Sequence, residues 1–83
     1  MNTKKTFADR LKELRNIRNY TQEELGKITN ISVQSIRRYE QGRLNEEPSA
    51  YNLLQLAKAL DVTPEYLLIG DNNMTSYTEA IKR

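Results

Sequence analysis

The 83-residue chain has no cysteine, no histidine and no tryptophan, and only three glycines and two prolines. Without cysteine there is no disulfide and no thiolate metal site. Without histidine the commonest general base and the commonest metal ligand are missing. No metal and no cofactor is therefore expected, and the chain is not expected to be an enzyme. Catalysis would need a carboxylate pair or a lysine in a pocket, and each Asp and Glu falls at a helix cap, in a loop or on a solvent-facing helix position. A ligand pocket also takes about 300–1,000 Å³, which is hard to place beside so small a core. The longest apolar run is Tyr66-Leu67-Leu68-Ile69, far below the ~20 residues of a membrane-spanning helix. Met1-Asn2-Thr3-Lys4-Lys5-Thr6 carries no apolar segment of the kind that opens a secretory signal. These absences lead to the expectation of a soluble, cytoplasmic protein with no membrane partner.

Charge is present but unevenly placed. Residues 1–45 hold ten Lys and Arg against five Asp and Glu, and residues 46–83 hold three against six. The net charge of +2 is thus the sum of a basic half and an acidic half. A basic half suits a polyanionic partner, although a solvated helical surface would look the same by composition alone.

No stretch alternates apolar and polar residues with a period of two, so an all-α fold is expected. Phe7, Leu11, Leu14 and Arg18, with Ile17 beside them, give a first helix over about 6–19, and Thr6 with Asp9 resembles a helix start. Thr21-Gln22-Glu23-Glu24 is a capping box that opens a second helix to about Thr29. Leu25 should face inward there, and Gly26, costly inside a helix, should mark a tight crossing. Asn30 can end the helix in the left-handed region, and Ile31 plugs the turn. Ser32 caps a third helix, Val33–Gln41, with Ile36 and Tyr39 inward and Val33, Gln34, Arg37 and Arg38 outward. Gly42 stops it, and residues 43–48 form a loop. Ser49 caps a fourth helix with the stripe Leu53, Leu56, Ala57 and Leu60. Thr63-Pro64-Glu65 starts a fifth, with Leu67 and Leu68 inward and Gly70 at its end. In the tail, residues 71–83, Ser76 with Glu79 can cap a short last helix.

The informative unit is residues 21–42. Two short helices are joined by a tight turn, and the second turns polar and basic side chains outward. That is the plan of a helix-turn-helix, in which the second helix fits a major groove about 12 Å wide.

The pattern Arg10-Leu11-Lys12-Glu13-Leu14-Arg15, Thr21-Gln22-Glu23-Glu24-Leu25, Ile31-Ser32 and Ser35-Ile36-Arg37-Arg38-Tyr39-Glu40-Gln41-Gly42 resembles the Cro/cI-type, or XRE-like, helix-turn-helix family of bacterial and phage repressors. Pro48-Ser49 and Leu53–Val62 complete it, and the resemblance covers about residues 6–70. It implies a five-helix, lambda-repressor-like DNA-binding domain with a short C-terminal tail. It also implies a nucleoid-associated regulator of transcription, a repressor acting as a homodimer on double-stranded DNA. Arg15 and Glu40 match a pair that holds the first helix to the recognition helix. Gln22 matches a phosphate contact, Val33, Gln34 and Arg38 match base-reading positions, and Gln41 and Arg43 match backbone contacts. Arg37 joins the base-facing set because it projects outward, and Arg18, Thr21 and Ser32 join the expected backbone contacts.

Each role has a plainer counterpart. Arg15–Glu40 can be purely structural, Gln34 and Arg38 can be ordinary surface polars, and Tyr39 belongs to the core rather than to a stacking platform. Lys4 and Lys5 are either a disordered arm or a groove contact. Two features depart from the family pattern: Thr29 stands at a position that is usually apolar there, so either Ile28 points partly outward or the register shifts by one, and the loop from Gly42 to Pro48 is longer, with Glu46 and Glu47 inserted. These acids would repel phosphate, so the far end of that loop is expected to stay off DNA. Tyr66, Ile69, Met74, Tyr77 and Ile81 exceed what one small core needs and are the expected dimer surface. Phage regulator, restriction-modification controller and antitoxin remain open, as does a compact regulator against a fragment of a longer one. An interaction module that binds a toxin or anti-repressor instead of DNA would present an acidic or apolar third helix.

Overall fold

A computed structural model describes residues 5–43 and 46–70. Among them are five helices: α1 (Phe7–Ile17), α2 (Gln22–Thr29), α3 (Val33–Gln41), α4 (Ala50–Leu60) and α5 (Pro64–Leu68). Each begins at the hydroxyl residue expected of it. The Asp9 amide donates to Thr6 Oγ1 at 3.2 Å while Asp9 Oδ2 accepts from the Thr6 amide at 3.1 Å. Thr21 and Glu24 repeat the exchange at 3.0 and 2.8 Å. Ser32, Ser49 and Thr63 accept from Ser35, Asn52 and Tyr66 amides. Such caps satisfy amides that have no partner within the helix, each contributing about 1 kcal/mol.

Left-handed residues other than glycine end three of the helices. Asn19, Asn30 and Asp61 have φ of 62°, 61° and 60°. Asn and Asp tolerate this region because their short polar side chains compete locally for the backbone. After α1 the Tyr20 amide reaches back to the Arg15 carbonyl at 3.1 Å and the Asn19 amide to Asn16 at 3.0 Å. That paired closure ends α1 before the expected residue 19.

The core is one cluster drawn from all five helices. Leu11, Leu25, Ile36, Leu56, Leu60 and Leu67 are fully buried, and each such side chain stabilises by about 1.5–3 kcal/mol. Phe7 meets Tyr39 edge to face at 6.0 Å, and Ile31 seals the turn between α2 and α3. Leu53 and Leu68 are only half-buried. Ile17 departs from its expected place beside the α1 stripe and is 64% exposed, because α1 frays there into its left-handed closure. α1 packs on α3 and α5, α2 on α3 and α4, and α4 on α5. No described helix is long and apolar enough to cross a membrane.

One buried charge was not anticipated. Arg10 lies on the apolar stripe of α1 between Phe7 and Leu14 and is 6% exposed. Its guanidinium donates to the carbonyls of Leu67 at 2.9 Å, Leu68 at 2.6 Å and Lys5 at 2.7 Å. Two of these carbonyls belong to the end of α5, so Arg10 ties that helix to α1.

Candidate nucleic-acid interface

The turn between α2 and α3 is closed by backbone contact. A Cβ on Gly26 would lie 2.8 Å from the Ile31 carbonyl oxygen. The expected tight approach is therefore to the turn itself, with α3 just behind it. Thr29 is buried at 2% exposure and donates its hydroxyl to the Leu25 carbonyl at 2.7 Å. That bond lets a polar residue occupy an apolar position. Ile28 takes the outward direction, 52% exposed, and the register does not shift.

α3 is oriented by its buried side. Ile36 is fully buried and Tyr39 is 5% exposed, with the Tyr39 hydroxyl accepting from Asn52 Nδ2 at 3.1 Å. The opposite side carries Gln34, Arg37 and Arg38, all exposed, and Val33, half-buried. The ends of α3 are Ser32, its N-cap, and Gly42, whose φ of 70° suits a glycine stop.

Arg15 and Glu40 lock α1 to α3. Arg15 Nε is 2.7 Å from Glu40 Oε2 and Nη2 is 3.0 Å from Oε1, a bidentate pair with side chains 11% and 4% exposed. The remaining Arg15 Nη1 donates to the Tyr20 carbonyl at 2.8 Å. Its hydrogen bond to Glu40, opposed by burial and helped by the carboxylate's charge, raises the Arg15 pKa above the ordinary arginine value. The contribution of a raised cation is complete below its unfolded pKa and is lost only above it, so arginine ionisation leaves this lock intact through the neutral range. Gln22 joins it: Nε2 donates to Glu40 Oε1 at 3.1 Å.

The other expected site residues fall into distinct settings. Thr21 and Ser32 are exposed caps at the starts of α2 and α3. Arg18 is turned toward the end of α4, donating to the Leu60 carbonyl at 3.2 Å with Asp61 Oδ2 at 3.7 Å. Gln34, Gln41 and Arg43 are exposed and form no side-chain hydrogen bond with another described residue. Arg37 pairs with Glu23 at 3.0 Å, and Arg38 pairs with Glu46 at 3.1 Å. Glu46 thus lies against the outward face of α3. Lys5 pairs with Glu13 of α1 at 2.8 Å, both side chains exposed. Lys4 lies outside the described residues.

Of the expected dimer surface, Tyr66 is half-buried and Ile69 is 48% exposed. Met74, Tyr77 and Ile81, and the tail helix, lie outside the described residues. Tyr51 and Leu54 on α4 are exposed apolar side chains that sequence reasoning did not single out. Among the described residues no cluster of His, Cys, Asp or Glu could hold a metal ion.

Residues 11–67 match the Helix-turn-helix family model. The chain is 38% identical over 76 residues to repressor protein C2 of Salmonella phage P22, covering 92% of this chain and 34% of that protein. It is 35% identical over 68 residues to the HTH-type transcriptional regulator DicA of Escherichia coli, covering 82% of this chain and 49% of that protein. The chain therefore spans between a third and a half of the length of these relatives. The crystal structure of the P22 c2 repressor protein in complex with a synthetic operator superposes with a TM-score of 0.76 at 35% identity, covering 82% of this chain and all of that one. With the family match extending over more than half of its length, the chain belongs to the helix-turn-helix family, in its Cro/cI-type, XRE-like form.

Proposed function

We propose that this chain is a sequence-specific regulator of transcription that binds double-stranded DNA, a repressor working as a homodimer on a palindromic operator. The observation that carries the reading is the division of α3. Ile36 and Tyr39 are fixed in the core, the Arg15–Glu40 pair fixes the helix to α1, and Gln34 and Arg38 project from the opposite side. A rigid helix with such a face suits a major groove, where glutamine can bond adenine N6 and N7 and arginine guanine O6 and N7. Val33 offers methyl groups to a thymine methyl, and Arg37 extends the base-facing row. Thr21, Gln22, Ser32, Gln41 and Arg43 flank this row at the starts of α2 and α3 and after α3, where phosphates would run.

The relatives' names support the same reading, being those of a repressor and a transcriptional regulator. The exposed face of α3 is neither acidic nor apolar, which disfavours an interaction module without DNA. One recognition helix reads only a few base pairs, and two-fold pairing is the usual way to gain specificity. Ile69 and Tyr66, with Met74, Tyr77 and Ile81 of the tail, are the proposed dimer surface. Selection from random duplexes with the purified chain tests the whole reading. An enriched inverted repeat supports it, and recovery of no motif above background overturns it.

A further inference from the structure

Both outward arginines of α3 carry a carboxylate partner, and the one on Arg38 is placed selectively. Glu46 Oε2 accepts from Arg38 Nε at 3.1 Å, and the two side chains are 53% and 36% exposed. The Glu46 amide donates to the Arg43 carbonyl at 3.2 Å. A guanidinium offers five N–H donors in a fixed fork. Glu46 occupies the Nε edge. The Nη1/Nη2 end stays open, its one other contact a long 3.5 Å approach of Nη2 to Ser35 Oγ.

We propose that Glu46 is a specificity-determining residue: it holds Arg38 by the Nε edge, leaves the far end for guanine, and sets that arginine against phosphate. The proposal rests on the DNA-binding reading above. Guanine presents two neutral acceptors, which the open end of the fork can take while Glu46 stays in place. A phosphate brings a full negative charge to a guanidinium that already has a carboxylate beside it. Phosphate must either displace Glu46 or sit near it, and both raise the cost of the wrong contact. Discrimination is a difference of affinities, so penalising the phosphate-bound state sharpens it without any new contact to the right base. The pair is exposed and weak in water, so it opens readily and does not prevent binding. Arg43, with no carboxylate partner among the described residues, remains the unguarded cation for the backbone.

The test uses the full chain as wild type, Glu46→Gln, Glu47→Gln, Arg38→Ala and the Arg38→Ala/Glu46→Gln double variant. Each is titrated against the selected duplex, its single-base variants and an unrelated duplex over a range of salt. Glu46→Gln should tighten binding to the unrelated duplex by about two- to five-fold, as an exposed pair allows, and lower the selected-to-unrelated ratio by a similar factor. Its salt slope on the unrelated duplex should steepen by about 0.9 per subunit as Arg38 takes a phosphate. Glu47→Gln changes the charge at the adjacent position, and should leave the ratio as in wild type. In the Arg38→Ala background, Glu46→Gln should leave the ratio unchanged. An unaltered ratio in Glu46→Gln, or an equal change in Glu47→Gln, overturns the proposal. If wild type itself shows no preference among duplexes, the DNA-binding reading falls and this inference with it.

Discussion

Replacing Arg10 with methionine keeps an unbranched, buried stem and removes the three donors that hold α5 to α1. Hydrogen bonds to a charged group each contribute about 1.5–3 kcal/mol, so three could total up to about 9 kcal/mol. The Leu67 carbonyl is buried, but those of Leu68 and Lys5 are only partly so and regain water once Arg10 is gone. The net cost should therefore be about 3 kcal/mol, nearer one full bond and two partial ones. A domain of this length has roughly 4–12 kcal/mol in total, so this is a large share. At about 4–8 °C per kcal/mol for domains of this size, Tm should fall by about 12–24 °C. Arg10→Lys should recover less than half, since one compact ammonium cannot span carbonyls of Lys5, Leu67 and Leu68 together. Lys12→Met, on the exposed side of α1, should stay within about 0.5 kcal/mol of wild type. Thermal and urea unfolding followed by circular dichroism measure all three. A Tm loss below about 3 °C for Arg10→Met would show that the carbonyls are satisfied without it and refute the reasoning.

Glu40→Ala leaves Arg15 partly buried beside no carboxylate and should cost about 3 kcal/mol, the lower end for a broken buried pair because the Tyr20 carbonyl remains; urea unfolding reads it, and a loss under 1 kcal/mol would make the pair a surface ornament. Gly26→Ala gains about 1 kcal/mol of helix propensity but drives a methyl into the Ile31 carbonyl at 2.8 Å. The net should be a loss of about 1–3 kcal/mol; an increase in Tm would mean that the turn yields. Arg18→Ala should lower stability by about 0.5–1.5 kcal/mol through the Leu60 carbonyl and leave the salt slope of DNA binding unaltered. A slope reduced by about 0.9 per subunit would instead make Arg18 a phosphate ligand.

What could be read from the sequence follows the range of the interactions. The helix starts were legible because a cap and the amide it serves are three residues apart, as in Thr6 with Asp9 or Thr21 with Glu24. The inward and outward sides of α3 were legible because helical period alone separates Ile36 and Tyr39 from Gln34 and Arg38. The end of α1 was less so, since Asn19 is left-handed only in the company of the carbonyls that close over it. Ile17 fitted the stripe and was lost to that closure. Arg10 carries a signal of its own: a charge three residues after Phe7 in the run Phe7, Arg10, Leu11, Leu14. Two of its three partners lie 57 and 58 residues away, which no local pattern announces. Glu46 reads from sequence as an acid in the wrong place for phosphate, but not as the partner of Arg38, because its approach to α3 is a matter of tertiary structure.

On the proposed reading, α3 enters a major groove, Gln34 and Arg38 read bases, and Arg43 holds only backbone. Measuring Arg38→Ala, Gln34→Ala and Arg43→Ala against the selected duplex and each of its single-base variants tests it most directly. Arg38→Ala and Gln34→Ala should each cost about 1–3 kcal/mol and lose preference at one base pair per half-site. Arg43→Ala should weaken every duplex alike and reduce the salt slope by about 0.9 per subunit. If Arg38→Ala weakened all duplexes equally while Arg43→Ala changed base preference, α3 would not be the helix in the groove.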